Sequence, residues 1–255
     1  MARQRRPLRL PPPFLKRVSL VPERVTDWDA YPFCIPLFRD RSFEFAFERP
    51  ITIIVGENGT GKSTLLEAFA ALANFDEAGG GSGYRLVDHS KAIDTSGTAL
   101  APMLRASWLP RMTSGWFFKA ETFFSVARSL DEAALEPMSG PPPDFLSHSH
   151  GEGFLRFFEE RCRRQGVYIF DEPESALSPS RQMEFMKLMR RMEESNLCQV
   201  VIATHSPMLM AYPGAQLLEI TKYGVEPTEL ELIPHYRLMR EFFQDPSGFL
   251  DAFLD

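Results

Sequence analysis

The sequence predicts an α/β domain built on a central, mostly parallel sheet. Three observations lead there. Residues 51–55, 167–170 and 199–203 are short apolar runs rich in β-branched side chains, the pattern of strands buried on both faces. Residues 63–74 and 181–194 place apolar side chains at helical spacing, so strands alternate with helices. A length of 255 residues with 44% hydrophobic content then suffices for the core of one large domain.

The chain opens on a basic arm, Arg3, Arg5, Arg6 and Arg9 followed by Pro11-Pro12-Pro13, with Lys16 and Arg17 just beyond and no acid before Glu23. Residues 1–14 read as a flexible segment. Phe43, Phe45 and Phe47 alternate with polar or small residues, as in a half-buried strand, before a turn at Arg49-Pro50. Residues 75–101 hold the glycine cluster Gly79-Gly80-Gly81-Ser82-Gly83 and little periodicity, which predicts an exposed excursion. Strand-like alternation returns at 115–124, and 125–165 is expected to be mostly helical, interrupted at Pro141-Pro142-Pro143.

In the 181–194 helix, Met183, Met186 and Met189 join Phe185, Leu188 and Met192 in a broad apolar face, the methionines acting as core filler. Residues 216–221 and 229–232 read as edge strands around a Gly224 turn. Residues 236–254 read as an amphipathic tail, and His235 as a structural residue. The expected divisions are an arm over 1–14, one domain over 15–235 and a helical tail over 236–255.

The net charge of −6 argues against wholesale coating of nucleic acid, although the basic arm offers phosphate contacts. Cys34, Cys162 and Cys198 form no close pair, which predicts neither a disulfide framework nor a zinc site and fits a reducing cytoplasm. No run approaches eighteen apolar residues, so the expectation is a cytoplasmic protein without membrane insertion.

Gly56-Glu57-Asn58-Gly59-Thr60-Gly61-Lys62-Ser63 matches GxxxxGK[ST] in full, between a buried strand and a helix. Such a loop curls backbone N–H groups around phosphates and sets a helix N-terminus beneath them, with Thr64 next along that helix. ATP and Mg²⁺ are therefore the expected cofactors: Lys62 faces the β- and γ-phosphates, and Ser63 gives its hydroxyl to Mg²⁺. The 167–170 strand ends in Asp171-Glu172, where Asp171 is the expected second Mg²⁺ partner and Glu172 the group that polarises the attacking water.

The order of motifs then resembles the ABC ATPase superfamily. Glu174-Ser175-Ala176-Leu177-Ser178-Pro179 looks like its D-loop, and Ala203-Thr204-His205-Ser206-Pro207 like its switch-histidine loop. Ser149-His150-Gly151-Glu152 resembles the signature loop of soluble members, with His150 where a glycine normally stands. The resemblance is to small standalone ATPases of the AAA_21/AAA_23 type, similar to SMC heads without a coiled coil, because only 109 positions separate Lys62 from Asp171.

It implies a P-loop NTPase fold of the ABC type, with an antiparallel β-subdomain beside the main sheet and a small helical subdomain near 122–165. It also implies that His205 contacts the γ-phosphate, and that Ser149 and Gly151 bind the γ-phosphate of ATP held by a second copy. Glu121 stands where the family's Q-loop glutamine is expected, a carboxylate for Mg²⁺ or a surface ion-pair partner. Tyr31 and Phe33 are placed either to stack on adenine or to join the core. The implied function is an ATP-driven dimerisation switch acting as a homodimer on nucleic acid or a protein partner. The alternative is the energy-coupling subunit of a membrane transporter, which normally shows LSGGQ and a Q-loop glutamine, both missing here.

Overall fold

The computed structural model describes residues 10–76, 79–82, 99–120, 122 and 150–254. Their nine strands run in chain order β1 (Leu15–Leu20), β2 (Glu44–Ala46), β3 (Ile51–Val55), β4 (Leu104–Trp108), β5 (Gly115–Lys119), β6 (Gly166–Asp171), β7 (Cys198–Ala203), β8 (Gln216–Thr221) and β9 (Gly224–Pro227). The helices are α1 (Lys62–Leu72), α2 (His150–Arg161), α3 (Pro179–Glu194), α4 (Pro207–Met210), α5 (Pro234–Gln244) and α6 (Pro246–Leu254).

Six strands form the main sheet in the order β5-β6-β7-β3-β8-β9, parallel throughout except for the β8–β9 hairpin. β2, β1 and β4 form a separate antiparallel sheet. The predicted α/β architecture, with a mainly parallel sheet and a second antiparallel one, is thus present.

Because successive side chains on a strand point to opposite faces, the central strands feed two cores. Ile54, Val167, Ile169, Val201 and Ala203 turn toward α1 and the antiparallel sheet, meeting Phe45 and Phe69. Ile53, Tyr168, Phe170, Val200 and Ile202 turn the other way, onto Phe154, Phe157 and Phe158 of α2 and Phe185 and Met189 of α3. Fully buried Gln199 joins the two sheets: its amide oxygen accepts from the N–H groups of Phe14 (2.7 Å) and Leu15 (2.8 Å), and its NH₂ donates to the Leu15 carbonyl (3.0 Å).

Four expectations need correction. Gly79, Gly80 and Gly81 are buried rather than exposed, because Gly80 pairs with Phe117 on the open side of β5. The missing side chain of Gly81 leaves room for the Trp116 ring, 2.9 Å from where its Cβ would stand. Met183 is 49% exposed and leaves the apolar face of α3 to Phe185, Leu188, Met189 and Met192, since it sits on the opposite side of the turn. β8 is an interior strand between β3 and β9, and the edge on that side of the sheet is β9. Leu230–Leu232 is a 3₁₀ turn and not a strand; Pro227 ends the ladder and Pro234 starts a helix, leaving no length between them for pairing.

Among the described residues no helix is long and apolar enough to cross a membrane. The basic residues Arg3, Arg5, Arg6 and Arg9, together with Ser149 and Glu121, lie outside the described residues.

Candidate active site

The carboxyl ends of β3, β6 and β7 meet at one edge of the main sheet, the edge where a parallel α/β sheet binds ligands. Hydrogen bonds carry the alignment past the strands: Thr204 N–H donates to the Ile54 carbonyl (3.2 Å), and Glu172 N–H to the Ala203 carbonyl (3.0 Å). The loop after β3 and the acidic pair after β6 are thereby held beside the His205 loop.

The loop over 56–61 curls because three glycines take positive φ: 151° at Gly56, 77° at Gly59 and 99° at Gly61. Gly61 has two reasons to be glycine. Its φ suits no ordinary side chain, and a Cβ there would stand 2.5 Å from Ile35 Cδ1, on the segment packed over the loop. Thr60 ties the curl by donating from its hydroxyl to the Glu57 carbonyl at 2.8 Å. α1 starts at Lys62, with Leu65 N–H donating to the Gly61 carbonyl (2.9 Å).

The Lys62 ammonium folds back across the loop and donates to the carbonyls of Gly56 (2.8 Å) and Glu57 (3.0 Å). Burial lowers the affinity of Lys62 for its proton, while Glu172, Asp171 and Glu174 act in the opposite direction. Ser63 Oγ donates to Asp171 Oδ1 at 3.2 Å. Burial lifts the Asp171 carboxyl to about 7, with the Ser63 hydroxyl and the Lys119 charge pulling it back. Lys119, the register partner of Asp171 on β5, pairs with Glu67 of α1 at 2.8 Å, both side chains nearly buried.

Glu172 sits in the left-handed region, at φ 47° and ψ 53°, a conformation uncommon for a non-glycine residue. It turns the chain sharply off β6 and leaves its side chain 41% exposed. Glu172 Oε1 lies 3.7 Å from His205 Nε2, which is buried and has no hydrogen-bond partner among the described residues. Burial and then Lys62 lower the proton affinity of His205, outweighing Glu172 and favouring a neutral ring.

The loop bearing His205 is fixed from below by two residues whose roles the sequence did not reveal. Glu174 Oε1 accepts the His205 backbone N–H at 2.5 Å, and its Oε2 is buried with no hydrogen-bond partner among the described residues within the distance and angle limits of a hydrogen bond. Gln182 accepts from the Ser206 hydroxyl (2.5 Å) and donates to the Leu177 carbonyl (3.0 Å). Both contacts bind the 173–178 segment to the 204–206 segment. The signal available in sequence was the acid two residues after Glu172, which propensity alone assigns to a solvated turn.

Of the two aromatics weighed for a base, Phe33 is 9% exposed and packs against Trp28 and Phe38. Tyr31 is 55% exposed and shares a 2.5 Å hydrogen bond with Thr64 Oγ1, which brings it beside the loop. Gly151 lies in the first turn of α2, which opens at His150.

The site accommodates Mg²⁺. Among the described residues no group of three or more His, Cys, Asp or Glu could hold a metal ion, but a hydroxyl and a buried carboxylate face each other at 3.2 Å. A magnesium ion that keeps waters and takes phosphate oxygens needs one or two such protein oxygens.

Residues 144–211 match the family described as "AAA domain, putative AbiEii toxin, Type IV TA system". Residues 34–102 match a second family, described as "AAA domain". The chain is 34% identical over 56 residues to an OLD nuclease of Thermus scotoductus; the match covers 22% of this chain and 11% of the nuclease. Among solved structures it is similar to the SMC head domain from Thermotoga maritima, at 15% identity and a TM-score of 0.48, covering 85% of this chain and 99% of that one. It is also similar to cbiO1 from Clostridium perfringens, part of the ABC transporter complex cbiONQ, at 18% identity and a TM-score of 0.41, covering 82% and 89%.

Proposed function

We propose that this chain, a P-loop ATPase of the ABC type, hydrolyses MgATP in a homodimer that closes on nucleotide and opens after turnover. The observation that carries the reading is the Ser63–Asp171 contact at 3.2 Å, with the Glu172–His205 pair at 3.7 Å on the same sheet edge. Four groups with distinct tasks in phosphoryl transfer converge there from three segments of the chain.

The curled loop offers N–H groups to the phosphates, and the Lys62 ammonium neutralises their charge from above. Ser63 and Asp171 are the residues that hold Mg²⁺, which when bound supplies electrostatic stabilisation of the γ-phosphoryl oxygens. Glu172 is exposed enough to meet a water and orients it for attack. A neutral His205 carrying its proton on Nε2 donates a hydrogen bond to the γ-phosphate. Tyr31, on the open side of Thr64, is the candidate neighbour of the base. Ser149 and Gly151 serve the ATP of the other subunit, which is why two copies are needed.

The nuclease match and the basic residues from Arg3 to Arg17 favour nucleic acid over a transported solute as the load, in a cytoplasmic enzyme. The deciding experiment is light scattering on Glu172→Gln, which keeps nucleotide binding and blocks hydrolysis. A dimer with MgATP supports the reading; a monomer at saturating MgATP overturns the dimer mechanism. Deleting residues 1–14 should weaken DNA or RNA binding at low salt, and unchanged affinity would remove the arm from that role.

A further inference from the structure

A residue of the C-terminal helices stands beside the site. α5 begins directly after Ile233, which is 3% exposed and belongs to the core beneath α3. Arg237 N–H donates to the Ile233 carbonyl at 3.0 Å, and Leu230 and Tyr236 pack against the same core. The first turn of α5 is therefore anchored. His235 lies in that turn, and its ring stands edge-to-face with the ring of His205, centroids 6.2 Å apart at 81°.

We infer that His235 is a positioning residue that holds the His205 ring in its working orientation. The backbone of His205 is fixed by Glu174, but among the described residues its ring has no hydrogen-bond partner at Nε2. Rotation about the side-chain torsions would carry Nε2 away from Glu172 Oε1, now 3.7 Å distant, without moving the loop. A second ring standing edge-to-face with it, centroids 6.2 Å apart, opposes that rotation. The nucleotide loop is carried by β3 and α1 and His235 by α5, so binding of ATP should be indifferent to His235 while turnover is not. The inference rests on His205 acting at the γ-phosphate.

The test is steady-state ATPase kinetics of the full chain carrying H235A, H235F, H235L or H205A. Removing the ring in H235A should lower kcat about tenfold with KM for ATP changed less than about twofold, because a slightly misplaced group loses rate rather than affinity. H235F presents an aromatic edge and should keep kcat within about threefold of wild type, whereas H235L, of similar bulk and no ring, should resemble H235A. Comparing Phe with Leu decides the matter even if alanine destabilises the helix. Wild-type kcat in H235L, or H235F no better than H235L, overturns the inference while an inactive H205A leaves the catalytic reading intact. Wild-type turnover in H205A instead overturns the reading on which the inference rests.

Discussion

Ser63 Oγ donates to Asp171 Oδ1 at 3.2 Å, joining positions 108 residues apart. The contact places the buried carboxyl at the end of β6, lifted to about 7 by burial, against the first turn of α1. A carboxyl that must ionise to take Mg²⁺ gives up its proton when the metal arrives. Calorimetry of preformed MgATP binding at pH 6, in buffers of different ionisation enthalpy, should show release of about one proton more in wild type than in Asp171→Asn. Equal proton release in the two proteins would show that Asp171 is already ionised.

The same group predicts how stability responds to pH. The folded value lies above the ordinary 3.8, so the native state holds the proton more tightly than the unfolded chain. The contribution of Asp171 to stability is therefore greatest below about 4 and is lost as pH rises through 7. Urea midpoints of the nucleotide-free protein should fall less steeply over that range in Asp171→Asn than in wild type, with other groups cancelling in the difference.

Glu174 tests whether the His205 loop needs its support. Its carboxylate accepts the His205 N–H, and truncation to alanine leaves that donor without its partner in a partly buried place. Glu174→Ala should cost about 1–3 kcal/mol of stability. It should also lower kcat. Glu174→Gln keeps an oxygen in the same position and should retain most of both. If alanine and glutamine behave alike in kinetics and in denaturation, the contact does not position the loop.

These tests divide what was legible from what was not. The 56–63 loop was readable because each requirement is local: glycines for positive φ, a lysine at the start of a helix, a preceding buried strand. β6 and β7 were readable because strands buried on both faces read as near-continuous apolar runs, interrupted here only near their ends by Asp171 and Gln199. Glu174 and Gln182 were opaque because their partners are separated from them by 31 and 24 positions and no periodicity links them. His235 read as structural because its neighbour across the ring contact belongs to a different segment, 204–206. The 229–232 segment was misread because alternation was weighed without the prolines on either side.

The Glu67–Lys119 pair predicts a stability effect that depends on how it is broken. Both side chains are nearly buried, so removing one takes from the other its partner at 2.8 Å. Glu67→Met should cost about 3–5 kcal/mol, and the double variant Glu67→Met with Lys119→Met should recover a substantial part. Additive losses in urea denaturation would mean that the two charges do not compensate each other.

Two glycines with similar backbone angles should respond very differently to alanine. Gly115 starts β5 at φ 133°, and a Cβ there would stand 1.8 Å from the Val167 carbonyl oxygen of the neighbouring β6. Gly224 starts β9 at φ 127°, and a Cβ there would meet nothing within 4 Å. Strain from positive φ is common to both and is worth about 1–2 kcal/mol. The overlap with backbone at Gly115 adds to it, because two parallel strands cannot separate without breaking their ladder. Gly224→Ala should therefore remain folded with a modest drop in urea midpoint, while Gly115→Ala should lose more than about 4 kcal/mol or fail to fold. Similar losses at the two positions would show that φ, and not the closeness of β5 to β6, demands glycine at the start of the strand leading to Lys119.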